Sequence, residues 1–125
     1  MAEEKRKMYN VTLVINPDKF GALKQAFNEL GICGMTVTHV EGCGTQMTHS
    51  GYYRGTPTDI SLLPKTKVEV VVSRIPVEQV METARKILYT GAIGDGKIFV
   101  YDVEKIFRVR TGETDYDALQ YDGEK

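Results

Sequence analysis

A glycine-rich segment that ends in a lysine, TGAIGDGK at residues 90–97, directly precedes a predicted strand. Glycines let backbone N–H groups approach an anion closely, and the lysine adds a point charge, as phosphate-binding loops require. The segment is not a P-loop, because the GxxxxGK[ST] pattern fails at Ile98, which stands where Ser or Thr is required, and no helix follows. From its residues alone it is either an anion-binding turn or a plain tight turn.

A pair of arginines, Arg108 and Arg110, follows the same strand within the segment RVRTGE. On an extended chain, side chains at i and i+2 face the same side, so the pair predicts a two-pronged anion clamp. A solvated basic pair is the alternative. Together with the glycine-rich segment, the arginines favour a polyphosphate ligand. Gln46 and Lys65 lie near the two ends of a long loop and are suited to a carboxylate.

Other polar residues offer weaker cases for chemistry. His39 and His49 have no second ligand at metal-binding spacing and are expected to be structural. Asp95, Asp102 and Glu104 are candidate general bases, but an aspartate in a glycine turn commonly bonds its own backbone. No nucleophile elbow or Ser-His-Asp order is present. The residues favour ligand binding over catalysis.

The elements that position these residues are predicted from hydrophobic periodicity. Four segments are typical of strands, at residues 9–15, 35–41, 67–72 and 98–103, and two of helices, at 20–30 and 77–88. The order is βαβ, loop, βαβ, which predicts a ferredoxin-like α+β domain with a four-stranded antiparallel sheet and both helices on one face. Val71 points away from Val70 and Val72, so both sheet faces carry apolar side chains, and we expect a small homo-oligomer.

Between the two βαβ units lies a loop at residues 43–63, rich in Gly, Thr, Ser and Tyr. Loops of this length inside a compact domain are usually functional or disordered, and a tolerated surface insertion is the alternative. Tyr52 and Tyr53 within it either stack on a partner or pack on the loop. The acidic tail at about 115–125 is predicted to be flexible.

Composition and charge exclude several classes of protein. The chain has 125 residues, with 42% hydrophobic and 26% charged residues, as expected for one globular domain. The net charge of -1 gives no basis for nucleic-acid binding. Apolar runs are too short to span a membrane, and no signal-peptide pattern follows the N-terminal charges. We therefore expect a cytoplasmic protein.

The two cysteines are not expected to pair. Cys33 and Cys43 are ten positions apart, and the segment between them is mostly the predicted strand at 35–41. That spacing corresponds to about 30 Å, whereas a disulfide needs Cα atoms within about 7 Å.

Several spaced motifs together resemble the PII signal-transduction family. They are TxxxGDGKIFV at 90–100, RVRTGE at 108–113, GMTVT at 34–38, VEGxG at 40–44, YRG at 53–55 and LPK at 63–65. The similarity covers residues 8–119. It implies a non-enzymatic homotrimeric sensor with a ferredoxin-like fold. Such a sensor binds ATP and ADP competitively between subunits and docks its long T-loop, here about 43–63, onto transporters or enzymes.

The resemblance also implies roles for single residues. Thr36 meets the adenine, Glu69 and Val71 line the base or ribose side, and Gly94 and Gly96 cradle phosphates beside Lys97. Arg108 and Arg110 reach phosphates from the neighbouring subunit. Gln46 matches a glutamine that helps to hold magnesium and 2-oxoglutarate, and Lys65 a lysine that pairs with the 2-oxoglutarate carboxylate. The full nucleotide-binding set is Thr36, Gly42, Gly44, Thr45, Glu69, Val71, Gly94, Asp95, Gly96, Lys97, Arg108 and Arg110. The partner-binding residues are Tyr52, Tyr53, Arg54 and Gly55.

The chain departs from the family pattern at three places. The loop starts Thr45-Gln46-Met47-Thr48 where the family often has Arg-Gln-Lys-Gly. Ala92 replaces a lysine common in the glycine-rich segment, and Thr58 replaces the tyrosine that is uridylylated in relatives. These changes remove cations from the nucleotide site and predict no uridylylation at residue 58.

The expected function is an adenine-nucleotide sensor that regulates an ammonium transporter or a nitrogen-metabolism enzyme. A variant senses ATP and ADP without 2-oxoglutarate and serves another transporter. A slow ATPase that uses Lys97, Arg108 and Arg110 is the enzymatic alternative. A metal-binding trimer on the same fold is the third class, and the spacing of His39, His49, Cys33 and Cys43 gives it little support.

Overall fold

The main sheet has four antiparallel strands, which lie side by side in the order Thr36–Gly42, Leu63–Val72, Met8–Ile15 and Lys97–Val103. The computed structural model describes residues 6–43, 52–53, 56–57 and 62–120. The strands of the sheet are β1 (Met8–Ile15), β2 (Thr36–Gly42), β5 (Leu63–Val72) and β6 (Lys97–Val103). Helices α1 (Phe20–Glu29) and α2 (Val77–Leu88) join β1 to β2 and β5 to β6. The predicted α+β ferredoxin-like arrangement is confirmed.

The core lies between the two helices and one face of the sheet. In the register of β1 with β5, Val11 pairs with Val70 and Leu13 with Val68, so their side chains share that face. Phe27 of α1 packs among them and is fully buried. Core residues from both helices recur at helical spacing, as an amphipathic helix on a sheet requires. They are Leu23, Phe27, Val80, Ala84 and Leu88.

Helix α1 ends in a glycine cap. Gly31 has a φ of 96°, its N–H donates to the carbonyl of Asn28, and the N–H of Ile32 donates to the carbonyl of Phe27. These two bonds form a Schellman motif, in which glycine takes the left-handed position at no steric cost. The cap turns the chain into the 31–35 segment that leads to β2.

Strand β5 begins earlier than the sequence predicts. It starts at Leu63, inside the predicted loop, rather than at Lys67. Pro64 pairs with Glu41 of β2, while pairing with β1 starts only at Thr66. At Pro64 the strand therefore has a neighbour on one side only, and a proline is tolerated at such an edge.

The long loop and the acidic tail also contain short elements. In the loop, β3 (Tyr52–Tyr53) pairs with β4 (Thr56–Pro57). The segment predicted as a flexible tail begins with helix α3 (Asp115–Ala118). Asp115 exchanges two hydrogen bonds with Ile106, one through its N–H and one through its carboxylate, which secures the start of α3. Flexibility of the tail stays a prediction.

The sheet face opposite the helices carries exposed apolar side chains. On β6, Phe99 is 43% exposed and Tyr101 is 54% exposed. Strand alternation places them opposite Ile98, which packs on the core. This face also carries Glu69 and Val71, two residues of the candidate site.

Candidate functional site

A groove of about 330 Å³ opens at the end of the sheet where β2 begins and β5 ends. Four residues of the predicted nucleotide-binding set line it, namely Thr36, Glu69, Val71 and Arg108. The rest of its wall comes from the 31–34 turn, the 72–75 segment and residues 118–120. The groove thus joins residues from four separate parts of the chain.

Strand register explains why three of these side chains meet. Thr36 pairs directly with Glu69 across β2 and β5. Val71 is two residues further along β5 and therefore points to the same side as Glu69. Thr36 is exposed, while Glu69 and Val71 are half-buried. The three form a shelf with a hydroxyl, a carboxylate and an apolar surface, which suits a ligand with polar and apolar parts.

Arg108 is held by its own chain. Its Nη1 donates to Oε1 of Glu113 at 3.0 Å, and its Nη2 donates to the carbonyl oxygens of Ala118, at 2.9 Å, and of Gln120. Its side chain is 20% exposed and that of Glu113 24%. A hydrogen bond from an ionised donor is stronger than a neutral one, so the bonds to Ala118 and Gln120 fasten the end of α3 and the residues after it to Arg108.

The prediction that Arg108 and Arg110 lie on an extended segment and face the same side is wrong. The N–H of Gly112 donates to the carbonyl of Arg108, and the N–H of Arg108 donates to the carbonyl of Glu113, both at 2.8 Å. The arginines therefore lie in a tight turn, in which i and i+2 side chains do not share a side by strand geometry. Gly112, with a φ of 75°, allows this turn to close. Arg108 lines the groove, whereas Arg110 lies on the exposed part of the turn.

The glycine-rich segment at residues 90–97, here called the glycine turn, is organised by Asp95. The Asp95 carboxylate accepts hydrogen bonds from the N–H of Thr90 at 2.8 Å, from the N–H of Gly91 at 3.0 Å and from the Thr90 hydroxyl. These bonds favour the ionised form and hold the pKa of Asp95 below its ordinary value of 3.8, the Thr90 hydroxyl contributing most. The role of Asp95 visible here is to fold the turn.

Gly96 is required by the sheet. It has a φ of 108°, and a Cβ on this residue would overlap the carbonyl oxygen of Val14 in β1. The glycine turn therefore sits directly against the end of β1. Lys97 follows as the first residue of β6, is exposed and pairs with Val14. Gly94 also has a positive φ, of 102°.

Lys65 connects the glycine turn to the start of β5. Its Nζ donates to Oδ1 of Asn16 at 2.6 Å and to the carbonyl oxygen of Gly94 at 3.0 Å. Gly42 lies beside it, since a Cβ there would be 3.2 Å from Cγ of Lys65. Two of the three ammonium donors are thus used within the chain.

The predicted nucleotide-binding residues fall into two clusters. Glu69 and Val71 are in the groove, while Lys65 bonds to the glycine turn. All three lie on one strand, and four to six residues of strand separate the clusters by roughly 13–20 Å. None of residues 90–97 lines the groove.

Some predicted residues lie outside the described part of the chain. These are Gly44, Thr45, Gln46, Arg54 and Gly55, together with Thr58 of the lost modification site. Tyr52 and Tyr53 are placed as β3, opposite Pro57 and Thr56 respectively.

Part of the groove wall was not predicted from the sequence. This part consists of Arg74 and residues 118–120. Arg74 could have been found from its position shortly after the strand that carries Glu69 and Val71. No pattern in the sequence indicated that the tail folds back onto Arg108.

The described residues contain neither a grouped set of metal ligands nor a membrane-spanning helix. Within residues 6–43 and 62–120 and the two short strands, no three His, Cys, Asp or Glu side chains are grouped as metal ligands. Cys33 and Cys43 are exposed free thiols. None of the described helices has the length and apolar character needed to cross a membrane.

Comparison with known proteins places these features in one family. Residues 8–113 match the family model described as nitrogen regulatory protein P-II. A nitrogen regulatory PII-like protein of Bacillus subtilis is 42% identical over 90% of this chain and 97% of its own. The nitrogen regulatory protein P-II of Rhizobium meliloti is 46% identical over 90% of this chain and 100% of its own.

Solved structures agree with the sequence relatives. A complex of B. subtilis GlnK with ATP superposes with a TM-score of 0.79 at 38% identity, covering 94% of this chain and 100% of that one. PII of Arabidopsis thaliana bound to citrate gives a TM-score of 0.73 at 36% identity, covering 90% and 92%. The chain belongs to the nitrogen regulatory protein P-II family.

Proposed function

We propose that this protein senses ATP and ADP as a homotrimer and transmits their ratio to a partner protein through the loop at about 43–63. This signalling needs no catalysis. If ATP and ADP prefer different conformations of the loop, their ratio determines which loop conformation is populated. The family is named for regulation, and a relative has been solved with ATP, which supports nucleotide binding here.

The observation that carries the proposal is the separation of the two clusters along β5. The groove offers a hydroxyl, a carboxylate and an apolar surface from Thr36, Glu69 and Val71. The glycine turn offers Lys97 and left-handed glycines, which suit phosphates. We infer that the glycine turn of one copy meets the groove of the next, so that each nucleotide lies between two subunits.

The exposed face of the sheet supports assembly. Phe99 and Tyr101 on β6 lie on the sheet face opposite α1 and α2, and exposed apolar patches are typical of interfaces. The number three follows from the family resemblance. The expected location of the trimer is the cytoplasm.

The proposed ligands are ATP and ADP with magnesium. Binding of 2-oxoglutarate distinguishes the full sensor from the variant that reads adenine nucleotides alone. Gln46, proposed to hold magnesium and 2-oxoglutarate, lies outside the described residues. Lys65, proposed to pair with the 2-oxoglutarate carboxylate, already donates to Asn16 and Gly94. A carboxylate at Lys65 must therefore replace at least one of these bonds. This favours the variant function in which the protein reads adenine nucleotides alone.

The proposed partner is a membrane transporter, with an ammonium transporter implied by the resemblance, or a metabolic enzyme. Tyr52, Tyr53, Arg54 and Gly55 are proposed to contact it. A slow ATPase gains no support from Asp95, the one acid in the glycine turn, because its carboxylate is engaged by Thr90 and Gly91.

Calorimetric titration with ATP and magnesium, with and without 2-oxoglutarate, tests the ligands. Binding of one ATP per chain supports the proposal, and tighter binding with 2-oxoglutarate supports the full sensor. Unchanged binding with 2-oxoglutarate leaves a sensor of adenine nucleotides alone, with a partner outside nitrogen control. Absence of ATP binding contradicts the proposal.

Mixing two defective variants tests the shared site. Glu69→Ala impairs the groove and Lys97→Ala impairs the glycine turn, so each homo-oligomer is expected to bind ATP poorly. In mixed oligomers, an intact groove of one variant meets an intact turn of the other, and binding is restored to part of the sites. A site contained within one chain would show no restoration.

A further inference from the structure

Three charged side chains of the described chain line the groove, namely Glu69, Arg74 and Arg108. A phosphate ligand needs positive charge at its binding site. Glu69 is an anion, and its carboxylate lies 3.9 Å from the ammonium of Lys67. The choice is therefore between the two guanidinium groups.

Arg108 is largely occupied. Its guanidinium donates to the carboxylate of Glu113 at 3.0 Å and to two main-chain carbonyls, those of Ala118 and Gln120. The Glu113 charge offsets its own. A phosphate that binds Arg108 must displace acceptors that already hold the chain after α3.

Arg74 is placed differently. It lies two residues after the end of β5, is exposed, and its Nη2 lies 3.4 Å from the position that a Cβ on Gly31 would take. The guanidinium thus rests against the bare backbone of the α1 cap, on the groove wall. Within residues 6–43 and 62–120 it has no hydrogen bond or ion pair. A planar fork of five N–H donors matches phosphate oxygens well.

We propose that Arg74 is an anion-binding residue of the groove and contacts phosphate oxygens of the bound nucleotide. The inference rests on the proposed nucleotide function and adds a residue that the family resemblance did not supply. It also distinguishes a ligand-binding arginine from a structural one in the same groove. Arg74 supplies charge to the ligand, and Arg108 secures the C-terminal wall.

The test compares three variants in calorimetric titrations with ATP and magnesium. Arg74→Gln removes the charge, Arg74→Lys keeps it without the fork, and Lys86→Gln removes a charge from an exposed α2 residue that does not line this groove. We expect Arg74→Gln to raise the Kd for ATP about tenfold, as for loss of one charge-assisted hydrogen bond. Arg74→Lys should fall between it and the wild type, and Lys86→Gln should change the Kd less than about twofold.

Salt dependence identifies what Arg74 contacts. A contact with phosphate weakens as salt rises, so the loss caused by Arg74→Gln should shrink at high ionic strength. A loss of equal size at low and high salt would indicate a contact with the neutral base and would overturn the proposal.

An unchanged Kd in Arg74→Gln would overturn the proposal while leaving the nucleotide function intact. A wild-type protein that binds no ATP would overturn both. Unfolding curves of the variants are expected to match the wild type, because Arg74 is exposed.

Discussion

The ammonium group of Lys65 donates a hydrogen bond to the carbonyl oxygen of Gly94 at 3.0 Å, across 29 positions of sequence. A second bond from the same group goes to Asn16, which directly follows β1. Three segments thus meet at one side chain, namely the start of β5, the glycine turn and the β1–α1 connection. A change in the long loop that displaces Lys65 also removes an anchor of the glycine turn.

Replacing Lys65 is therefore expected to destabilise the fold. Lys65→Met keeps the length of the side chain and removes both hydrogen bonds from a half-buried site. We expect the free energy of unfolding to fall by about 1–2 kcal/mol, measured by urea denaturation. Lys67→Met is the matched control, because its contact with Glu69 is long and partly exposed and is worth less than about 1 kcal/mol. Equal losses in the two variants would contradict the anchoring role of Lys65.

A methyl group at Gly96 is expected to be costly. Gly96→Ala forces a Cβ against the Val14 carbonyl at a φ of 108°. The left-handed backbone alone costs roughly 1–2 kcal/mol, and the overlap adds to it, so we expect a loss above about 2 kcal/mol. Gly21→Ala in α1 is the control, because a Cβ there meets nothing within 4 Å and the helix should gain about 0.5–1 kcal/mol. Both are measured by urea denaturation, and a tolerated Gly96→Ala would mean that the glycine turn shifts freely from β1.

The Asp95 carboxylate predicts a specific pH dependence. Its pKa is lowered in the folded state, chiefly by the Thr90 hydroxyl, so the unfolded chain binds a proton more readily. Stability from this group is present above its unfolded pKa and is lost as the pH falls through the lower folded pKa. Below about pH 4, stability of the wild type should therefore fall more steeply with decreasing pH than that of Asp95→Asn.

Urea denaturation across a series of acidic pH values measures both slopes. Asp102→Asn serves as the control, since it removes an exposed carboxylate of β6 outside the glycine turn. Parallel slopes for the wild type and Asp95→Asn would show that the Thr90 bonds do not favour the ionised form.

The sheet and its helices were predictable because their signals are local and repeated. Phe20, Leu23, Phe27 and Leu30 mark one helix face, and Gly31 marks its end, as the structure confirms. The start of β5 was missed because Pro64 normally excludes a strand. The proline is acceptable there because β5 pairs at this point with β2 on one side only, and the sequence alone does not show that pairing.

The candidate site also has a part that the sequence predicts and a part that it does not. The glycine turn was found because Gly94, Asp95 and Gly96 are consecutive, and the structure adds the bonding that the spacing of Asp95 suggested. The groove was not predictable from spacing alone. It depends on contacts between residues far apart in sequence, such as Arg108 with Gln120 and Arg74 with Gly31, which no periodic pattern encodes.

The contacts of Arg108 imply that its guanidinium holds α3 and the residues after it in place. Arg108→Lys keeps the charge but cannot reach Glu113, Ala118 and Gln120 with one compact ammonium. We expect local opening of residues 115–120 to become about tenfold more frequent, which corresponds to the loss of about one charged hydrogen bond. Amide hydrogen exchange of Leu119 and Gln120, whose N–H groups bond to carbonyls of α3, reports that opening. Arg110→Lys changes the exposed arginine of the same turn and should leave this exchange close to wild type. If the two variants exchange alike, the C-terminal wall of the groove does not depend on the guanidinium of Arg108.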